Sequence, residues 1–397
     1  MGVIIKQSFW GTFISYVGVL VGYVNTLYLR PEFFSMDQIG LFSLIPAHAM
    51  LISPFCNLGM ASSFLKHFPY VENIQRNQLF TLLIIIVVIA NSLVAVGWFA
   101  SMDWIASFYQ ESAPEYIQYL FVTLIIIVAN SIFDLFFSYS RSILKVIFPS
   151  FLRDIFLKTT SMLLVVGYAT NLLNFEEAVR GLAVNYVLAL ALLITQLVVK
   201  HKLRLSFQFS WISGTWTRRI FNFAAYSMLM AGSFAVLNNI TYNQITSYLG
   251  TAANGIFTTA FFIGVIVEMP RRNMAIIVGP VISSAFGKKD MDQVTAINQK
   301  GSITMAAIGS LLFIGIITNL SDLFNLIPKG EEFSAGFGVT LGVCIAKLTM
   351  MVAGFPGQII NFSKFYRYNL LFQAIAALLL LFLNRLLIPS WGLNGAA

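Results

Sequence analysis

Residues 78–100 read QLFTLLIIIVVIANSLVAVGWFA, an apolar run that contains no charged residue. A run of this length is long enough to cross the ~30 Å hydrocarbon core of a bilayer as an α-helix. Its centre, LLIIIVVIA at 82–90, does not alternate between polar and apolar residues, as a strand of a membrane β-barrel does. The run therefore predicts a transmembrane helix, and similar runs recur along the whole chain.

The overall composition points to the same class of protein. Of the 397 residues, 58% are hydrophobic and 10% are charged, whereas a soluble domain carries roughly 25% charged residues. The net charge of +8 is interpreted as loop charge facing anionic lipid, because no basic stripe interleaved with aromatic residues is present. We therefore expect an integral membrane protein that does not bind nucleic acid. Cys56 and Cys344 both lie in apolar segments, which argues against a disulfide framework.

The apolar runs predict about eleven transmembrane helices and the beginning of another. The predicted helices span 8–29, 38–62, 78–100, 115–138, 147–170, 178–199, 221–248, 253–282, 302–320, 335–356 and 367–388. The final residues, WGLNGAA, resemble the start of a twelfth helix, and either a truncated product or an early gene end would explain the short C-terminus. The first apolar run is too long for the h-region of a signal peptide, so we expect it to be a permanent helix.

Lysine and arginine are concentrated in alternate loops. With the N-terminus in the cytosol, the inner loops hold pairs such as Arg218–Arg219 and Lys288–Lys289, whereas the outer loops hold Glu176–Glu177 and Glu331–Glu332. This asymmetry is the positive-inside pattern of multi-pass membrane proteins. It predicts a protein of the cell inner (cytoplasmic) membrane with a cytosolic N-terminus.

The chain is predicted to divide into two lobes of six helices. The longest connection, at about 200–220, lies between the sixth and seventh helices, so the predicted lobes are 1–205 and 206–397. Because six is an even number, the lobes would be parallel repeats related by an axis along the membrane normal.

Two helices at matching positions of the lobes carry similar features. The second helix begins with Ile39–Phe42 (IGLF) and the eighth with Asn254–Phe257 (NGIF), and each is interrupted late by a proline, Pro54 or Pro270. Helices interrupted by Gly or Pro at corresponding places in two repeats indicate a pathway between the repeats.

Lys347 is a charge well inside the tenth predicted helix. A charge at the centre of a membrane helix costs about 2.5–3.5 kcal/mol on insertion scales, so it normally faces a wet cavity or a partner. The functional interpretation is a cavity cation that meets an anionic substrate group. The structural interpretation is a lysine that snorkels or pairs with a carboxylate elsewhere.

A second cluster, Glu268–Arg272 (EMPRR), lies in the cytosolic half of the eighth helix. The guanidinium groups of Arg271 and Arg272 suit phosphate because each offers two parallel charge-assisted hydrogen bonds. Pro270 frees backbone groups and bends the helix toward a cavity. The alternative is a membrane-interface anchor with an intrahelical pair between Glu268 and Arg272.

Further polar residues lie inside predicted helices. Asp134 is either a proton or cation site or a carboxylate paired near the interface, and His48 is either a proton relay or a hydrogen-bonded core residue. Amide groups in the seventh helix either line a polar path or join helices by hydrogen bonds. These amides are Asn239, Asn243 and Gln244.

Enzyme signatures are missing from the sequence. No HExxH, GxSxG or P-loop motif and no Cys–His metal cluster is found, so we expect no catalytic residue, metal or cofactor. A membrane glycan polymerase or ligase is a weaker alternative, because such an enzyme usually needs a large outer loop carrying catalytic residues. A scaffold without transport would not explain repeated lobes and charges at membrane depth.

Three stretches resemble a known family. They are residues 254–290 (NGIFTTAFFIGVIVEMPRRNMAIIVGPVISSAFGKKD), 7–44 (QSFWGTFISYVGVLVGYVNTLYLRPEFFSMDQIGLFSL) and 138–158 (SYSRSILKVIFPSFLRDIFLK). The chain resembles Wzx-type polysaccharide flippases of the multidrug/oligosaccharidyl-lipid/polysaccharide (MOP) exporter superfamily. The resemblance covers essentially the whole chain, but it is one of pattern, with no invariant catalytic string.

The resemblance implies a V-shaped, MATE-like pair of lobes around a cationic cavity. Such a protein flips undecaprenyl-pyrophosphate-linked oligosaccharide by alternating access, for O-antigen, capsule or exopolysaccharide biosynthesis. Arg271 and Arg272 fall where the family places cations in the eighth helix, with Lys347 as a candidate partner in the tenth. The chain departs from several relatives in lacking an arginine within its first helix, and His48 is a weak substitute.

The resemblance also implies partners. These are lipid-linked oligosaccharide, membrane lipids, a coupling ion such as H+ or Na+, and the polymerase and glycosyltransferases of the same pathway. The closest alternative on the same architecture is a cation-coupled multidrug antiporter. Such an antiporter needs carboxylates in its cavity, whereas cations predominate among the charges at membrane depth in this chain.

Overall fold

The computed structural model describes residues 13–14, 16–365 and 367–397. Within these ranges every regular element is a helix and no strand is present. The predicted all-α class is therefore confirmed. The side chains of a few helical residues, Asn273 among them, lie outside this description.

The long helices are numbered α1 to α11 in chain order, and three of them consist of consecutive pieces. The first, α1, covers residues 16–33 and contains a π-helical turn at Val24–Leu29; the start of its predicted range, 8–29, lies outside the described residues. The others are α2 (Met36–Cys56), α3 (Asn73–Ala100), α4 (Leu120–Ser142), α5 (Ile147–Phe151, Leu152–Phe156 and Leu157–Ala169), α6 (Phe175–His201), α7 (Gly214–Leu249), α8 (Thr251–Val265, Ile266–Glu268 and Met269–Lys288), α9 (Met291–Thr318), α10 (Phe337–Ala353) and α11 (Arg367–Trp391). Short helices connect them, including Met60–His67, Met102–Ser107, Pro114–Ile117, Leu320–Leu326 and Pro356–Phe362, and a 3₁₀ turn, Gly392–Ala396, follows α11.

Nine helices in the described part of the chain are long and apolar enough to cross a membrane. The broken helix α5 is not among them. Large apolar side chains on these helices are exposed, for example Leu93 at 68% and Leu378 at 66%. Helices that are apolar on their outer as well as their inner faces are typical of membrane proteins. The chain is a multi-pass membrane protein.

The predicted second helix, 38–62, is wrong in its last six residues, because the helix ends at Cys56. Helix α2 ends at Cys56 because Leu58 and Gly59 adopt the left-handed conformation, with φ of 52° and 70°. A new helix, Met60–His67, then begins. A Cβ atom on Gly59 would lie 2.1 Å from a backbone oxygen of α7, so both the φ angle and the close approach of α7 require glycine.

The chain forms two compact units. The first comprises Leu41–Gly250 and the described residues up to residue 25, and the second comprises Thr26–Gly40 and Thr251–Ala397. The first unit therefore includes α7, and α2 contributes its first turn to the second unit. The predicted lobe boundary at 205/206 remains a prediction.

Aromatic rings fill much of the core of the first unit. The ring centroid of Phe80 lies 5.0 Å from that of Phe64 and 4.7 Å from that of Tyr139. Nearby, the buried amide of Asn91 donates a 3.1 Å hydrogen bond to Ser131 Oγ, which joins α3 to α4. These contacts join the short helix Met60–His67 to α3 and α4.

The second unit contains a close crossing of α2 and α8. A Cβ atom on Gly40 would lie 1.7 Å from the backbone oxygen of Thr251, and one on Gly255 would lie 2.4 Å from that of Met36. Asn254 Nδ2 donates a 3.0 Å hydrogen bond to the Gly40 carbonyl at the same place. Only glycine permits such an approach of two backbones. Gly40 of the stretch IGLF thus lies directly against Asn254 and Gly255 of the stretch NGIF.

Each unit contains one free cysteine. Cys56 lies in the first unit and Cys344 in the second, and both are fully buried. The two thiols fill space in their cores as small apolar groups.

Candidate functional site

The centre of the candidate site is the interruption of α8 at Pro270. The helix tightens into a 3₁₀ turn at Ile266–Glu268 and resumes at Met269, with Pro270 in its first turn. Proline has no backbone N–H and cannot continue the hydrogen-bond ladder of the preceding turn, so a helix changes its geometry at such a position. The interruption predicted from the sequence is present, and it carries Glu268 and Arg271 on consecutive turns.

Glu268 binds two cations at once. Its Oε1 accepts a hydrogen bond from Arg271 Nη2 at 2.9 Å, and its Oε2 lies 2.7 Å from Lys347 Nζ. The carboxylate side chain is only 9% exposed, compared with 18% for Arg271 and 21% for Lys347. The ammonium group also lies 6.0 Å from the ring centroid of Phe261. The structure therefore brings together three residues predicted from the sequence.

This arrangement decides between the structural alternatives considered for these residues. Lys347, in the middle of α10, pairs with a carboxylate rather than snorkelling to the membrane surface. The alternative prediction of an intrahelical pair between Glu268 and Arg272 is wrong. Glu268 pairs instead with Arg271, three residues along the helix. Arg272 is exposed instead.

The guanidinium group of Arg271 retains an unused donor. Its Nη1 donates a 3.4 Å hydrogen bond to the carbonyl of Gly354, just beyond the end of α10. Its Nε is buried and has no acceptor among the described residues. An unpaired buried donor is costly, and an anionic oxygen entering the cluster would satisfy it. Two cations and one carboxylate leave the cluster with one net positive charge, to which the neighbouring Arg272 adds another.

Asp134 belongs to a separate site in the first unit. Its carboxylate lies 3.3 Å from Arg153 Nη1, so it pairs with an arginine of α5. Arg141, the neighbour noted in the sequence, lines the same cavity of about 240 Å³. The ion pair is partly exposed, at 48% for Arg153 and 27% for Asp134, and a pair of this kind contributes little to stability.

His48 and the amides of α7 line a second cavity of the first unit, of about 360 Å³. His48 Nδ1 lies 2.6 Å from the hydroxyl of Tyr116, which lies 3.1 Å from Thr123 Oγ1. The histidine is therefore a buried, hydrogen-bonded residue. Burial raises the pKa of Tyr116 well above its usual value, so this phenol stays protonated.

The amides of α7 form a ladder along the helix. Asn239 Nδ2 donates to the carbonyl of Ala235, and Asn243 Nδ2 donates to the carbonyl of Asn239, both at 3.0 Å. Asn243 Oδ1 accepts a 3.1 Å hydrogen bond from the hydroxyl of Tyr109. Asn243 and Gln244 line the cavity, and Asn239 lies one turn below it.

The aromatic residues of this cavity were not predicted as site residues. They come from the end of α3 and the segment after it, which the sequence presents as an ordinary outer loop. The signal available in the sequence is the density of aromatic residues from the end of α3 to the start of α4. These residues are Trp98, Trp104, Phe108, Tyr109, Tyr116 and Tyr119. Within the described residues, no group of three or more His, Cys, Asp or Glu side chains could hold a metal ion.

Comparison with solved structures shows the same fold in known transporters. The chain is similar to the lipid II flippase MurJ in its inward closed conformation, with a TM-score of 0.77 and 11% identity over 97% of this chain and 83% of that chain. It is similar to an inward-facing multidrug resistance MATE family transporter of the MOP superfamily, with a TM-score of 0.66 and 13% identity over 97% and 89%. It is also similar to a MOP superfamily transporter from Pyrococcus furiosus for which a reversed polarity of the binding pocket suggests a different function, with a TM-score of 0.62 and 12% identity over 99% and 89%.

No protein-family model and no curated protein matches the sequence. At identities of 11–13% the likeness to solved structures concerns the fold. The chain has the fold of MOP superfamily transporters.

Proposed function

We propose that this protein flips undecaprenyl-pyrophosphate-linked oligosaccharide across the inner membrane by alternating access, for the biosynthesis of a surface polysaccharide. Two things support the proposal: the resemblance of the sequence to Wzx-type flippases, and a fold shared with a lipid II flippase. The observation that carries it is the cluster of Glu268, Arg271 and Lys347, which holds an excess of positive charge among apolar helices.

The cluster suits a pyrophosphate because its cations already lie together. Arg271 and Lys347 are held by one carboxylate at 2.9 and 2.7 Å, so a pyrophosphate oxygen can replace a Glu268 oxygen without moving either cation far. In a low-dielectric site a charge–charge attraction is several times stronger than in water. The glycan would follow polar faces while the prenyl tail remains in lipid.

Glu268 gives the site a means of coupling to an ion. With the carboxylate charged, it competes with the pyrophosphate for both cations. A proton on Glu268 would remove that competition and favour substrate binding, whereas a bound Na+ would act through the same oxygens. H+ or Na+ is therefore the proposed coupling ion, and deprotonation of Glu268 is the proposed release step.

The topology and partners of the proposal follow from the sequence. The protein would lie in the inner membrane with a cytosolic N-terminus, and the cytosolic half of α8 would receive substrate from the inner leaflet. The polysaccharide polymerase and the glycosyltransferases of the same pathway are its proposed partners.

A cation-coupled multidrug antiporter is the second candidate. It is favoured by the similarity to a MATE family transporter and by two carboxylates within apolar helices, Glu268 and Asp134. Against it, both carboxylates are already paired with cations. A cationic drug would have to displace a lysine or an arginine from them.

Transport in proteoliposomes tests the proposal. Translocation of a fluorescent lipid-linked oligosaccharide is measured for the wild type, Lys347→Ala and Arg271→Ala/Arg272→Ala, with Arg180→Ala as the matched control. Arg180 is an exposed arginine whose salt bridge, within the described residues, is to Glu176 one turn away. Loss of a hydrogen bond to a charged group corresponds to a rate reduction of about tenfold or more, which we expect for the first two variants and not for the control. Wild-type rates in both variants would overturn the proposal, and uptake of a cationic dye without glycan transport would establish the antiporter.

A further inference from the structure

The cavity of the first unit between α2, α3 and α7 is built differently from the cation cluster. One wall consists of aromatic rings, among them Trp98, Trp104 and Phe108. The other wall carries the amide and hydroxyl groups of Asn243, Gln244 and Ser247. Among the described residues that line it, none is an aspartate, glutamate, lysine or arginine. With about 360 Å³, the cavity falls in the lower part of the range of small-molecule sites, about 300–1,000 Å³.

Rings of the aromatic wall contact one another and the residues beside them. Trp104 packs edge-on against Phe108 at a centroid distance of 4.8 Å, and Tyr109 packs in the same way against Tyr116, also at 4.8 Å. The rings of Trp98 and His48 lie 5.6 Å apart. Edge-to-face arrangements of this kind are favoured by the ring quadrupoles. Trp104 is 65% and Phe108 52% exposed, so the wall offers open ring surface to an occupant.

The polar wall is also fixed in place. Tyr109 donates to Asn243 Oδ1, and burial raises the pKa of this phenol, so it stays a donor. The other end of the Asn243 amide is tied to the carbonyl of Asn239. Ser247 Oγ donates to the carbonyl of Gln244 at 3.1 Å, which leaves its lone pairs as acceptors.

One buried group of the cavity has no partner. Trp98 is 5% exposed, and its indole Nε1–H finds no acceptor among the described residues. The indole N–H can only donate, and a buried donor without an acceptor is unfavourable. A turn of the indole N–H toward an occupant that supplies an oxygen would remove this penalty.

These features define the chemistry of the occupant. A phosphate is disfavoured because no lysine or arginine of the described residues lines the cavity. A quaternary ammonium would use the rings but would leave the Trp98 N–H unpaired, since it has no lone pair to offer. A sugar ring has an apolar C–H face for the aromatic wall and hydroxyl oxygens that both donate and accept for the polar wall.

We infer that this cavity is a sugar-binding subsite, in which a neutral sugar residue stacks on the aromatic wall and offers an oxygen to the indole N–H of Trp98. The inference rests on the proposed function, to which it adds a place for the glycan apart from the pyrophosphate cations. In the predicted topology the cavity lies toward the outer side of the membrane. It would therefore hold the glycan late in transport.

Sugar binding is tested without transport, by fluorine NMR of protein labelled with 5-fluorotryptophan. The purified protein is kept in a detergent that has neither a sugar nor a choline head group, and the probes are N-acetylglucosamine, galactose and tetramethylammonium. Trp98→Phe and Trp104→Phe assign the two cavity resonances by their disappearance. Trp391, an exposed residue at the end of α11, is the internal reference.

We expect at least one of the sugars to move the Trp98 and Trp104 resonances saturably and to leave that of Trp391 unchanged. Gln244→Ala and Trp98→Phe each remove one hydrogen bond and should weaken the binding about threefold or more, with Trp104 as the reporter in the second case. Asn238→Ala is the matched control, because Asn238 is an exposed amide of the same helix whose side chain, among the described residues, donates to the carbonyl of Phe234. Unchanged resonances of the remaining tryptophans verify that each variant is folded.

Each outcome has a definite meaning. A response to tetramethylammonium but not to sugars, or no response to any probe, would overturn the inference. Equal weakening by Asn238→Ala and Gln244→Ala would do the same. Glycan transport in liposomes without a sugar response would remove this subsite and leave the proposed function standing. A sugar response in a protein that transports no lipid-linked glycan would instead refute the proposed function.

Discussion

Replacing Glu268 by glutamine should destabilise the second unit more than removing either of its cationic partners does. The amide keeps the shape of the side chain but not its charge, so Arg271 and Lys347 would remain close together without a counter-ion. Lys347→Met is the complementary change. It removes one cation, keeps an apolar side chain of similar length, and leaves the Glu268–Arg271 pair intact.

The distances give the scale of the effect. At 2.9 and 2.7 Å, each attraction amounts to about 6 kcal/mol at an effective dielectric constant of ~20 before desolvation is counted. Desolvation of the charges offsets most of this. Removing one partner of a buried ion pair nevertheless costs about 3–5 kcal/mol, because the other charge is left uncompensated. We expect that loss for Glu268→Gln and about 1.5–3 kcal/mol for Lys347→Met, which forfeits one charged hydrogen bond.

The assay is thermal unfolding in detergent, followed by far-UV circular dichroism, with both single variants and the double variant. In the double variant the unpaired lysine is gone. Its loss of stability should therefore be well below the sum of the losses of the two single variants. Additive losses would show that the two side chains do not interact. A loss below about 1 kcal/mol for Glu268→Gln, as for an exposed ion pair, would refute the conclusion that the carboxylate holds both cations.

Three further predictions, one of them with a control substitution, test other parts of the structure by the same unfolding measurement. Gly255→Ala places a Cβ atom 2.4 Å from a backbone oxygen of α2 and should cost about 1–3 kcal/mol. Its control, Gly287→Ala, has open space around the new atom and should be neutral or slightly stabilising. Equal effects of the two substitutions would contradict the close crossing. Tyr116→Phe removes the hydroxyl bound to buried His48 and should cost about 1–3 kcal/mol, and an unchanged unfolding temperature would argue against that hydrogen bond. Asp134→Asn breaks a partly exposed ion pair and should change stability by less than about 1 kcal/mol, so a larger loss would indicate that the carboxylate is more deeply involved.

The sequence predicts the class of the fold and the unusual charges of this protein because both follow from the cost of transferring groups into hydrocarbon. Apolar runs of membrane length gave the helices, and Lys347 and Arg271 stood out because charges are rare at that depth. The sequence alone did not identify the partners of Glu268. Residues three and four positions along a helix are equally close neighbours, so Arg271 and Arg272 could not be distinguished as partners of Glu268. The pairing of Lys347 with a carboxylate on another helix depends on tertiary packing.

The missed features are local turns and aromatic residues. The helix predicted over 38–62 breaks at Leu58 and Gly59, and the Asn57-Leu58-Gly59 stretch contains turn-forming residues that the continuous apolar pattern outweighed. Trp98 and Tyr109 look in the sequence like aromatic residues anchored at the membrane surface. Their role in lining a cavity depends on α7, whose packing against them no short-range pattern encodes.

The distribution of cysteines gives a practical means of following the two halves of this molecule separately. Because Cys56 and Cys344 are buried in different units, substituting either one by alanine leaves a single thiol that maleimide reagents reach only when its own surroundings open. Labelling both variants during heating would show whether the two units unfold together or one after the other. No foreign label would have to be introduced to obtain that record.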